Sequence, residues 1–94
     1  VKVVWTRRAV DDLSQVRRFI GAQNAEAARA VAARVVEAVQ LLAQHPAMGR
    51  PGRVAHTREL VVTGTPYILP YRVTAGVLEV LRVLHASRKW PKSL

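Results

Sequence analysis

Ninety-four residues, half of them apolar and with a mean hydropathy of +0.07, describe one small domain with material for a single core rather than a disordered chain. Cysteine is absent, which removes disulfides, thiol catalysis and cysteine-ligated zinc, and no apolar run approaches the roughly 18–20 residues of a membrane helix. Fifteen Lys and Arg against six Asp and Glu give +9, a field suited to nucleic acid, an acidic protein or another anionic surface.

Arginine supplies twelve of the fifteen cations, and the excess is uneven: residues 1–44 carry +3 and residues 45–94 carry +6. No basic, apolar and cleavage-site sequence marks a secretory signal, so a reducing cytoplasm is the expected compartment, with no membrane association. The expected organisation is one domain over residues 1–94.

Val1-Lys2-Val3-Val4-Trp5 is β-branched and aromatic, and predicts a short strand. Thr6 then caps a helix whose apolar positions Val10, Leu13, Val16 and Ile20 recur at helical spacing, with Asp11 and Asp12 in its first turns. Gly21-Ala22-Gln23-Asn24 breaks that pattern, and Asn24 caps a second helix. On one face this helix carries Ala28, Val31, Ala32, Val35, Val39 and Leu42. The short connection predicts an antiparallel hairpin, and His45-Pro46 ends it. Residues 46–53 read as a loop from their Pro and Gly content.

From Thr57 the period changes. Strands are expected over 57–62, 67–73 and 77–85, with turns at 63–66 and 74–76, as an antiparallel meander. Pro70 cannot donate to a ladder and predicts a bulge or a local edge. The order β-α-α-β-β-β implies an α+β fold, with a helical hairpin packed on one face of a mostly antiparallel four-stranded sheet.

Chemistry-bearing patterns are few. His45, His56 and His85 lack metal-ligand spacing, and there is no nucleophile elbow or phosphate-cradling glycine motif, so no metal or cofactor is expected. Arginine chemistry remains. Arg58, Arg72 and Arg82 would form a phosphate- or carboxylate-binding patch if they faced the same way from adjacent strands. A metal-free ribonuclease needs such arginines beside a general acid and base. A solvated basic sheet face needs them equally. Trp90 reads best as a tail residue closing the core.

Several segments together resemble the RelE/ParE toxin superfamily of type II toxin–antitoxin systems. They are Trp5-Thr6-x-x-Ala9-x-x-Asp12-Leu13, the alanine-rich second helix ending at His45-Pro46, and Gly49-Arg50. Thr57-Arg58-Glu59-Leu60-Val61-Val62, Pro66-Tyr67-Ile68, Tyr71-Arg72-Val73 and Leu81-Arg82-Val83-Leu84-His85 follow in order. The resemblance implies the same β-α-α-β-β-β fold. It also implies a cognate acidic antitoxin in a hetero-oligomer, and operator DNA reached only through that antitoxin.

The superfamily divides by target, DNA gyrase or ribosome-bound mRNA. RelE-like mRNA endonucleases carry a basic residue early in the third strand, where this chain has Tyr67-Ile68-Leu69. Its Leu84-His85-x-x-Arg88 instead resembles ParE-like gyrase poisons. On the gyrase reading Arg50, Arg53, Arg58, Tyr71, Arg72, Arg88 and Lys89 are target contacts and the protein is not an enzyme. On the endonuclease reading Arg82, His85 and Arg88 are the catalytic candidates. Val16, Ile20, Ala28 and Val35 are the expected antitoxin contacts, since small residues on the second helix leave room for a partner helix.

Overall fold

Thr6 both ends the first strand and starts the first helix. In the computed structural model of the chain, which describes residues 1–94, its backbone is extended and its hydroxyl accepts from the Ala9 N–H at 3.1 Å. Strand β1 is Lys2–Trp5 and helix α1 is Arg7–Gly21. Asn24 caps α2, Ala25–Gln44, by accepting from the Ala27 N–H at 3.0 Å. The helix stops at His45 because Pro46 disfavours helical backbone before it. The hairpin, both caps and the stop lie where the sequence places them.

Strands β2 (Arg50–Pro51), β3 (Arg58–Val61), β4 (Tyr67–Thr74), β5 (Val77–Val80) and β6 (Leu84–His85) complete one sheet. Its order is β1-β5-β4-β3-β2, with β6 paired to β4 beyond the end of β5. Only β1 with β5 is parallel. The sheet therefore has six strands where four are expected, and both additions are two residues long. One is β2, inside the stretch expected to be loop. The other arises because the expected 77–85 strand is divided at Leu81–Val83.

Pro70 causes the division. Its carbonyl accepts from the Leu81 N–H at 2.9 Å, so its nitrogen faces the same neighbour and has no proton to return. The ladder lapses there and resumes at Ile68 with Leu84.

The core lies between the hairpin and the sheet. Ala9, Val35, Val39 and Leu42 from the helices meet Tyr67, Leu69, Tyr71, Leu78 and Val80, which alternate to the helix side of β4 and β5. The apolar stripe of α2 is thus spent on this chain's own core. Val35 is fully buried and Ala28 nearly so, which corrects the expectation that they meet an antitoxin. Val16 and Ile20 pack partly buried against the same cluster.

Candidate target-binding surface

The basic C-terminal half is built around three carboxylates. Asp12 of α1 faces the divided strand and accepts from Arg82 Nε at 2.7 Å and Arg82 Nη2 at 3.0 Å. Its Oδ2 also accepts from the Val83 N–H at 3.0 Å, a backbone donor that the lapsed ladder leaves free. The Thr6 hydroxyl donates to the Leu81 carbonyl at 2.8 Å, so the start of α1 holds both sides of the bulge. Hydrogen bonding to Asp12 holds the Arg82 guanidinium above the usual arginine range, outweighing the opposite effect of burial. With side chains only 18% and 13% exposed, this is a partly buried, two-pronged ion pair.

Glu59 is the second, a carboxylate only 3% exposed on β3. It accepts from the Arg53 N–H at 2.8 Å and from Arg50 Nη2 at 3.3 Å, with Arg53 Nε at 3.8 Å. Arg53 also places its guanidinium carbon over Trp90, 3.6 Å from the ring centre, and Trp90 Nε1 donates to the His85 carbonyl at 3.0 Å. Trp90 therefore joins the tail to the arginine loop, where a core-closing role is expected from the sequence. Glu79 is the third carboxylate, taken by Arg72 at 3.0 and 3.1 Å across β4 and β5.

Arg58 has carbonyls instead. It donates to Gly49 O at 2.7 Å and Ala47 O at 3.3 Å, bracing the loop after α2. Tyr71 ties the same loop, accepting from the Gly49 N–H at 2.9 Å and donating to Pro46 O at 2.8 Å. Burial pushes the Tyr71 hydroxyl above the usual tyrosine range, against the opposing pull of the Gly49 N–H and Arg58. Gly49 is required at this approach. A Cβ there would lie 2.9 Å from Glu59 O and closer still to the Tyr71 ring.

The conditional patch of Arg58, Arg72 and Arg82 does not assemble. Arg58 shares the helix side with Tyr71, Arg72 alternates to the opposite face, and Arg82 turns into α1. Arg58 and Arg72 do line one shallow depression at the sheet's end with His56.

Two cations without a carboxylate partner lie near the tail. A cavity of about 210 Å³ opens between α1 and β6, and its lining includes Phe19, Tyr67, His85, Arg88, Lys89 and Trp90. His85 meets Tyr67 edge-on, ring centres 5.5 Å apart. Its Nδ1 accepts from the Ser87 N–H at 3.2 Å, so in the neutral ring the proton sits on Nε2. Arg88 lies 5.5 Å from the ring centre of Phe19, which is 62% exposed.

Of the expected site residues, His85, Arg88 and Lys89 come together here, while Arg50, Arg53, Arg58, Tyr71, Arg72 and Arg82 each have polar partners within the chain. The sequence singles out neither Phe19, whose exposure breaks the apolar period of α1, nor Asp12 as the anchor of Arg82. No group of three or more His, Asp or Glu is placed to hold a metal ion.

A family model described as the ParE toxin of the type II toxin–antitoxin system parDE matches residues 3–90. The chain is 45% identical over 93 residues to Y4kP of Sinorhizobium fredii, covering 99% of this chain and 96% of that protein. It is 41% identical over 87 residues to Toxin RelE2 of Caulobacter vibrioides, covering 93% and 97%. A solved structure titled as the chromosomal ParDE TA system from P. aeruginosa superposes with a TM-score of 0.84 at 27% identity, covering 93% of this chain and 97% of that one.

Proposed function

The chain belongs to the ParE toxin family of type II toxin–antitoxin systems, and from that premise we propose that it inhibits DNA gyrase by binding, not by catalysis. As the toxin of such a pair it has an antitoxin partner. The observation that carries the gyrase reading is the commitment of the arginines. A ribonuclease acting without metal needs cationic forks free to meet a phosphorane, beside an acid and a base. Here Arg82 is held by Asp12, Arg72 by Glu79, and Arg50 and Arg53 by Glu59. His85 keeps only Arg88 and Lys89 as cationic neighbours in its cavity. An aromatic-lined cavity rimmed by two cations suits capture of an acidic protein surface or a protein–DNA intermediate.

Purified toxin freed of antitoxin should inhibit supercoiling by gyrase and trap cleaved DNA, while leaving mRNA intact on translating ribosomes. Cleaved mRNA with unaffected gyrase would instead establish an endonuclease, with Arg82, His85 and Arg88 as its catalytic candidates.

The antitoxin segment is expected to be acidic and amphipathic. Because Ala28 and Val35 are buried, it has the exposed apolar positions Val36, Leu41, Met48 and Val61 beside α2 to cover.

A further inference from the structure

Cations without acidic partners are also grouped on the helical hairpin, away from the sheet. The side chains of Arg17, Arg18 and Arg29 form no ion pair and no hydrogen bond with another protein group. All three line one open cleft, together with Ser14, Gly21 and Ala28. The helices approach closely there, for a Cβ on Gly21 would lie only 3.6 Å from the Ala28 Cβ. Small residues thus bring guanidiniums from two helices to the same opening, with no carboxylate lining it to relieve their repulsion.

The lining also indicates the chemistry of the occupant. A peptide segment needs apolar anchors, and this cleft offers only alanine methyls. A phosphodiester needs cationic donors not already taken by carboxylates, and little apolar surface. We infer that the hairpin cleft of Arg17, Arg18 and Arg29 anchors the phosphodiester backbone of a nucleic acid, at a site separate from the His85 cavity.

The test is binding of the purified full chain to a labelled short DNA duplex and to single-stranded RNA of equal length, across a salt series. Each phosphate contact contributes about 0.9 to the log–log salt slope on duplex DNA and about 0.7 on a single strand. The Arg17→Ala/Arg18→Ala/Arg29→Ala variant should lower that slope by about 2–3 on whichever nucleic acid is bound. A control of equal charge loss, Lys2→Ala/Arg7→Ala/Lys92→Ala, should change it by less than about 1. All six positions are exposed, and melting curves verify that both variants fold. The stronger arm, duplex or single strand, identifies the source of the backbone.

Equal slope losses in the two variants would overturn the site, reducing it to net charge. So would an absence of affinity for both nucleic acids, including the case where only an acidic peptide binds. Gyrase inhibition is scored separately with the same wild-type protein, so failure of the target reading and failure of this site are distinguishable.

Discussion

Asp12 and Arg82 are seventy residues apart in sequence and joined by a two-pronged ion pair, and the same carboxylate also takes the Val83 N–H. This one side chain repairs the ladder that Pro70 interrupts. It also explains why a strongly basic chain keeps an arginine largely out of water. The pair belongs to the folding of the molecule before it belongs to any function.

Replacement of Asp12 should therefore cost stability. Asp12→Ala leaves the Arg82 charge and the Val83 N–H without partners, at about 3–5 kcal/mol for a buried pair and less here because water reaches part of it. A fall in Tm of about 10 °C or more is expected, with Asp12→Asn milder because it can still accept from Val83. Urea unfolding of both variants measures this. An unchanged midpoint for Asp12→Ala would show that the bulge is held by something else.

Tyr71 gives a pH dependence of definite sign. Burial holds its hydroxyl protonated to higher pH than in the unfolded chain. The Tyr71 contribution is thus fully present below about pH 10 and lost as pH rises through the folded value, because the unfolded chain releases its proton first. Tyr71→Phe should remove this part of the alkaline loss. At neutral pH it should cost about 1–3 kcal/mol, since the Gly49 N–H and Pro46 carbonyl lose their shared partner. Denaturant melts at pH 7 and above pH 10 test both statements.

The β4–β5 turn offers a gain. Ala75 and Gly76 both have positive φ, 50° and 76°, as a two-residue hairpin turn of the primed type requires. Alanine carries a strain there that asparagine tolerates. Ala75→Asn should raise stability by about 1 kcal/mol, visible as a higher Tm, with inhibition of the target unchanged because the turn is remote from the His85 cavity.

How far the sequence reveals these features depends on their range. Thr6, Asn24 and Pro46 act on their own neighbours, so helix starts and stops are legible. Strand β4 is legible from its composition, and Pro70 from its missing donor. The parallel pairing of β1 with β5 joins residues about seventy-five apart and leaves no local period. Strands β2 and β6 are too short to show one at all.

The site divides similarly. The sequence displays the arginines, and Glu59 and Glu79 in the strands are natural cross-strand partners for them, as Arg72 with Glu79 shows; Asp12 reaches Arg82 only through tertiary contact. An apolar stripe such as that of α2 looks the same whether it faces its own sheet or another chain. That ambiguity explains why Val35 reads as a docking residue and belongs to the core.

The most direct test compares wild-type toxin with His85→Ala in a gyrase supercoiling and DNA-cleavage assay, with mRNA cleavage on translating ribosomes in parallel. Inhibition by binding predicts trapped, cleaved DNA, intact mRNA and a graded loss below about tenfold in the variant. Cleaved mRNA, untouched gyrase and a loss of about a hundredfold or more on removing His85 would contradict it and make this histidine an acid–base catalyst.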